Sequence, residues 1–149
     1  MNAPLPARKP CPTLPTPEDM LRMPYDGRDV PHVVIEVNQK CNISCMACYK
    51  DKLDYTKPLE QIKSEIDLAA SQRNLRVVTL AGGEPLLHPR LPEVIAHIAS
   101  KGIEAQMLSN GYALTDELLQ TYKAAGLGMI YLHVDSLQRR PDAKKGMSE

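Results

Sequence analysis

Three cysteines, Cys41, Cys45 and Cys48, fall inside one short segment, Cys41-Asn42-Ile43-Ser44-Cys45-Met46-Ala47-Cys48-Tyr49. Thiolates are soft ligands that select iron-sulfur clusters, zinc or copper(I), and a closed structural site takes four protein ligands. Three thiolates in one loop therefore leave one coordination position for something else, and chemistry can happen there. The spacing suits an iron-sulfur cluster with one open iron. A rival reading closes a zinc site with Cys11, His32 or His88 as fourth ligand. Otherwise Cys11 is simplest as a free thiol, with recruitment to a second cluster in a partner or longer protein as the alternative.

The elements that must position these cysteines alternate in type. The apolar run around Val33 to Val37 reads as a strand, and the cysteine loop follows it. From Pro58 to Ser71, Leu59, Ile62, Ile66 and Ala69 recur at helical spacing, with Thr56 as a cap. Leu75 to Leu80 reads as a second strand. Pro89 to Lys101 carries Leu91, Ile95, Ile98 and Ala99 on one helical face and ends at Gly102. Ile103 to Leu108 makes a third strand. Thr115 caps a helix bearing Leu118, Leu119, Tyr122 and Ala125, Gly126 stops it, and Met129 to Val134 makes a fourth strand. Alternation of this kind implies an α/β fold with parallel strands and right-handed crossovers.

Eight of the thirteen prolines lie in residues 1–31, a density that forbids regular ladders, so this stretch reads as a proline-rich flexible leader before a domain at 32–149. With 43% hydrophobic residues and a formal net charge of zero, the chain of 149 residues reads as a globular protein of one domain. Balanced charge offers no basic stripe, and the only aromatics are six tyrosines, so a nucleic-acid partner is not expected. The start lacks the apolar stretch of a secretory signal, and no segment is long enough to span a bilayer. Cysteines clustered for metal fit a reducing compartment, so a cytoplasmic location without a membrane span is expected.

Two further motifs share the placement of the cysteine loop, after a strand and before a helix, where barrel enzymes assemble active sites. They are Leu80-Ala81-Gly82-Gly83-Glu84-Pro85 and Ser109-Asn110-Gly111. Together with the Cys-x3-Cys-x2-Cys loop, they make the chain resemble the radical S-adenosylmethionine (radical SAM) enzymes over roughly residues 33–140. The resemblance implies a partial TIM-like (βα) barrel rather than a flat doubly wound sheet. The chain would hold about half of the radical SAM core, with roughly four parallel strands.

By resemblance, Cys41, Cys45 and Cys48 hold a 4Fe-4S cluster whose open iron chelates S-adenosylmethionine. Reductive cleavage then gives methionine and a 5'-deoxyadenosyl radical that abstracts hydrogen from a substrate. The cofactor performs the hard chemistry while the protein supplies position and shielding. Gly82 and Gly83 would let the backbone approach the methionyl group, Glu84 would accept from its ammonium, and Pro85 would fix the turn. Asn110 belongs to the strand-three turn, with plain Asn-Gly turn geometry as the competing explanation. His133 and Asp135 match the strand-four position for ribose contact, a structural role for the histidine being the alternative. Ala47 stands where the family commonly has an aromatic. Its backbone could still meet adenine, and Tyr49 either supplies the ring or packs as core. An electron donor such as flavodoxin or ferredoxin, and a small-molecule or peptide substrate of unknown identity, are the implied partners.

The strand faces can be assigned as well. Helices covering one face of a parallel sheet demand apolar residues there, so the polar parity must face the barrel interior. That parity comprises Glu36, Asn38, Thr79, Gln106, Asn110, Tyr131, His133 and Asp135. For the fourth strand, an edge whose polar parity meets water is the simpler alternative. After that strand the chain turns polar from Gln138 to Lys145, a run read as solvated surface. It stops where the family would continue, so a truncated domain with an open edge for a partner or for self-association is expected. A catalytically incomplete iron-sulfur or zinc module is the alternative function. His88 and His97 are read as solvated or helix-capping histidines.

Overall fold

A computed structural model of the chain describes residues 30–46, 48, 50–134 and 138–139. The leader before residue 30, and with it Cys11, lies outside the described residues, as do Ala47, Tyr49 and Asp135.

Strand β1 spans His32–Asn38 and β2 is the short pair Ser44–Cys45 inside the cysteine loop. Helix α1 spans Leu59–Gln72, β3 Val77–Gly82, and a 3-10 turn Pro85–Leu87 leads to helix α2 at Leu91–Ser100. Then come β4 at Glu104–Ser109, α3 at Asp116–Ala125, β5 at Leu127–Leu132 and β6 at Gln138–Arg139. The main sheet is parallel, in the order β1-β3-β4-β5. A doubly wound sheet reverses direction at a switch point and puts helices on both faces. Here each strand is added next to the previous one. Right-handed crossovers repeated in one direction then place every helix on the same face, which is how a βα barrel grows.

The face rule holds where it was applied to the covered side. Ile35 and Val37 of β1, Val78 and Leu80 of β3, and Ala105 and Met107 of β4 are buried against Leu59, Ile62 and Ile66 of α1, Leu91, Val94, Ile95 and Ile98 of α2, and Tyr122 of α3. Truncating any of the fully buried isoleucines to alanine is expected to cost about 2–5 kcal/mol. On the other face, Asn38, Thr79, Gln106 and Asn110 are buried polar groups. The Thr79 hydroxyl donates to Gln106 Oε1 at 3.4 Å and lies 2.8 Å from His32 Nε2, while Gln106 Nε2 donates to Glu104 Oε1 at 2.9 Å. A hydrogen-bonded line thus crosses three strands and satisfies its own members. On β5 the same parity is open to solvent, with Tyr131 45% exposed and His133, just beyond its end, exposed as well, as the edge-strand alternative requires.

Several local expectations needed correction. Thr56 does not cap α1. It forms an isolated bridge with Asn38, and Pro58 occupies the N-cap position without a side-chain bond. Thr115 does cap its helix by accepting from Leu118 N, and Gly126 ends that helix with φ +101°. The fourth strand spans Leu127–Leu132 rather than Met129–Val134, because Gly126 lets the chain reverse at once. The polar run after it is not all solvated surface: Gln138–Arg139 pairs antiparallel with Ser44–Cys45, and Gln138 is buried.

Candidate cluster-binding site

The three motifs meet at the C-terminal ends of β1, β3 and β4, where they hold one another through a closed set of hydrogen bonds. The first link joins the glycine turn to the root of the cysteine loop. Gly83 N donates to Asn38 O at 3.0 Å and Glu84 N to Lys40 O at 2.7 Å, while Asn38 Nδ2 donates to Glu84 O at 2.9 Å. The glycines permit this approach. A Cβ on Gly83 would stand 2.1 Å from Lys40 O, and one on Gly82 would stand 2.2 Å from Asn38 O. Their missing side chains make room for residues 38–40 of this chain.

The second link is Glu84. It is 1% exposed, and its carboxylate accepts from Leu86 N at 3.0 Å, Ser109 Oγ at 2.8 Å and Asn110 N at 2.8 Å. Such hydrogen bonds to an ionised acceptor are among the stronger kind. This carboxylate joins the β3 turn to the end of β4. Pro85 opens the 3-10 turn immediately after it.

The third link returns from Asn110 to the cysteines. Its Oδ1 accepts from Tyr112 N at 2.8 Å, so the Asn-Gly turn geometry is present, with Gly111 at φ +67°. Its Nδ2 donates to Asn42 Oδ1 at 2.9 Å and lies 3.8 Å from Cys41 Sγ. The bland and the functional explanations of this residue thus coexist in one side chain.

Lysines brace the cysteine loop. Lys52 Nζ donates to Ile43 O at 2.6 Å, Lys40 pairs with Asp54 at 2.5 Å, and Lys50 pairs with Glu36. The hydrogen bond from Lys50 is the main reason that the Glu36 carboxyl titrates below the usual range. Cys41 and Cys45 are half-buried and Cys48 is exposed, its N–H donating to Cys45 O at 3.3 Å. Among the described residues, no three His, Cys, Asp or Glu side chains converge closely enough to hold a single metal ion. A cluster makes a different demand, since each thiolate binds its own iron and the sulfurs need not meet at one point. A donor set of three soft thiols on one loop, with ammonium groups bracing that loop, fits an iron-sulfur cluster.

The histidines offered to zinc are engaged elsewhere. His32 begins β1, roughly 20 Å of strand away from the cysteines. His88 is 4% exposed, with Nε2 3.0 Å from Lys57 O and Nδ1 accepting from Arg90 N at 3.2 Å. It braces the start of α2 and is buried rather than solvated. His97 meets Asp67 between α1 and α2 on the surface. His133 donates its backbone N–H to Ser109 O at 2.9 Å.

Sequence reasoning did not single out Ser109, Asn42 or Gln138. Ser109 was legible as part of its motif, but its parity placed it on the helix side, and only the turn brings its hydroxyl to Glu84. Asn42 gave no signal, because asparagine in a polar loop is ordinary. Gln138 was hidden in a charged run.

The radical SAM superfamily model matches residues 35–147. A GTP 3',8-cyclase of Chlorobaculum tepidum is 34% identical over 116 residues, covering 76% of this chain and 35% of that protein. An Fe-coproporphyrin III synthase of Methanosarcina barkeri is 30% identical over 135 residues, covering 88% and 33%. The crystal structure of BtrN in complex with AdoMet and 2-DOIA superposes with a TM-score of 0.63 at 21% identity, over 76% of this chain and 49% of that one. The chain spans about a third of the length of the curated relatives it matches. With its motifs meeting at the strand ends of a βα sheet and the family model covering most of its length, the chain belongs to the radical SAM superfamily.

Proposed function

We propose that this chain is a radical SAM domain in which Cys41, Cys45 and Cys48 hold a 4Fe-4S cluster and the neighbouring turns bind S-adenosylmethionine. The observation that carries this reading is the closed hydrogen-bond set joining residues 38–42, 82–84 and 109–110. It holds the one cysteine-rich loop of the described residues against the two other motif turns. When bound, the cluster would supply the single electron that splits S-adenosylmethionine into methionine and a 5'-deoxyadenosyl radical able to abstract hydrogen from a substrate.

The chain's own residues orient and shield. The Gly82-Gly83 turn fixes the base of the cysteine loop, and Pro85 directs the chain away into α2. Glu84 acts through the turns it joins. Gly82, Gly83, Glu84, Pro85, Asn110, His133, Asp135 and the backbone of Ala47 are assigned to cofactor contact on the strength of the family motif. Tyr131 is exposed on the inner parity of β5 and His133 is exposed just beyond its end, toward the side from which a substrate would come. The relatives' names, a GTP 3',8-cyclase and an Fe-coproporphyrin III synthase, describe two different reactions, so the shared region does not select a substrate. An electron donor such as flavodoxin or ferredoxin is part of the proposal, as is a cytoplasmic location. No helix among the described residues is long and apolar enough to cross a membrane.

A second reading has its own support. β5 has no strand partner on its far side among the described residues. A module that holds the cluster without turnover fits that fact. Anaerobic reconstitution with iron and sulfide, followed by S-adenosylmethionine and a reductant, separates the two. Release of 5'-deoxyadenosine supports the enzyme, whereas a stable cluster with no nucleoside supports the binding module.

A further inference from the structure

We propose that Asn110 is a hydrogen-bond donor to the Cys41 thiolate and thereby raises the reduction potential of the cluster; the proposal rests on the reading of Cys41, Cys45 and Cys48 as its ligands. An amide can present either its oxygen or its nitrogen, and the two are distinguished only by their partners. Here the partners decide. Tyr112 N–H reaches Asn110 Oδ1 at 2.8 Å, so the NH2 group must point the other way, toward Asn42 Oδ1 at 2.9 Å and Cys41 Sγ at 3.8 Å. One of its two protons serves each acceptor. Glu84 Oε2 holds the backbone N–H of the same residue at 2.8 Å. Fixed at backbone, oxygen and nitrogen, the side chain has little freedom to turn away.

Asn110 is only 8% exposed, and hydrogen bonds sheltered from water are electrostatically stronger. An N–H aimed at a ligating sulfur stabilises the more electron-rich state of a cluster. Hydrogen bonds to the sulfurs are one of the terms that set such potentials, and groups behind the ligands commonly tune a metal centre. The role is one of positioning and tuning, since Asn110 acts on the cluster through Cys41.

The test is an EPR-monitored redox titration of the full chain, reconstituted anaerobically, comparing wild type with Asn110→Leu and Asn110→Asp. Iron and sulfide content are measured first. The expected result is an unchanged cluster content with a midpoint shifted to more negative potential in Asn110→Leu. A larger negative shift is expected in Asn110→Asp at alkaline pH, where an ionised carboxylate replaces the donor. A cluster-loaded Asn110→Leu with the wild-type midpoint overturns the proposal. Should Asn110→Leu lose the cluster, Asn110→Asp carries the test, because it keeps the acceptor for Tyr112 N–H; a wild-type midpoint there overturns the proposal equally. Wild-type protein that takes up no iron or sulfide instead overturns the cluster assignment beneath it, a failure visible before any potential is read.

Discussion

Glu84 shows how a motif residue can tie together the turns of its own chain. Both its oxygens face donors whose positions are set by the backbone, Leu86 N–H on one side and Asn110 N–H on the other. Glu84→Gln must then present an NH2 to one of these N–H groups whichever way the amide turns, leaving buried donors opposed. A loss of about 1–3 kcal/mol in urea unfolding is expected, against little change for a neutralised surface carboxylate. Gly83→Ala places a methyl group against the carbonyls of Lys40 and Gln39, which are backbone and cannot swing aside. It should cost about 1–3 kcal/mol or more by the same measurement, and it should lower cluster uptake in step, since the collision falls at the root of the cysteine loop. The glycines, the acid and the cysteines were legible as a family pattern. What the pattern could not reveal is that the first two serve contacts within the chain, because that depends on which turns approach one another in space.

Strands and helices were legible because each has a one-sided apolar pattern that a covered parallel sheet requires. Ile35 and Val37, Val78 and Leu80, and Ala105 and Met107 alternate with residues of the other face as the period of two demands. Boundaries were missed where a backbone bond rather than a side chain decides them, as at Leu127 after the left-handed Gly126. β6 was invisible, since two residues pairing with Ser44 and Cys45 carry no periodicity at all.

Two predictions belong at the scale of these elements. On β5, Leu132 is 56% exposed and Met129 44%, and parallel sheets rarely leave a strand so open. The chain is expected to self-associate with rising concentration in sedimentation experiments, and Leu132→Lys is expected to weaken that association while changing monomer stability by no more than about 0.5 kcal/mol. Between β1 and the segment after the cysteines, the Lys50–Glu36 pair holds the Glu36 carboxyl below its usual range. A depressed folded-state value means stability that is present above the unfolded value, about pH 4.3, and lost as pH falls through the folded one. Urea midpoints of the wild type should therefore fall more steeply below about pH 4 than those of Lys50→Met, in which the pair is gone. Equal slopes would show that the pair contributes nothing to acid stability.

Taken as a whole, the molecule is a βα sheet whose helices cover one face and whose strand ends gather three turns around a thiol-rich loop. The order β1-β3-β4-β5 with all helices on one side is the arrangement that lets such a sheet curl toward a barrel, with a hydrogen-bonded polar line across the face opposite the helices. Fold and family were both legible from motif order alone, because each motif sits where a strand hands over to a helix. Substrate was not legible, since the region shared with a GTP 3',8-cyclase and an Fe-coproporphyrin III synthase carries what those proteins have in common.

The most direct measurement of the central claim is the metal content of the anaerobically reconstituted chain, with iron, sulfide and zinc quantified together and EPR recorded after reduction, for wild type and for Cys41→Ala, Cys45→Ala and Cys48→Ala. The account predicts iron and sulfide in equal amounts and the EPR signal of a reduced 4Fe-4S cluster in the wild type, with the signal lost or much diminished in each variant. Zinc without sulfide, or a cluster that survives all three substitutions, would contradict it.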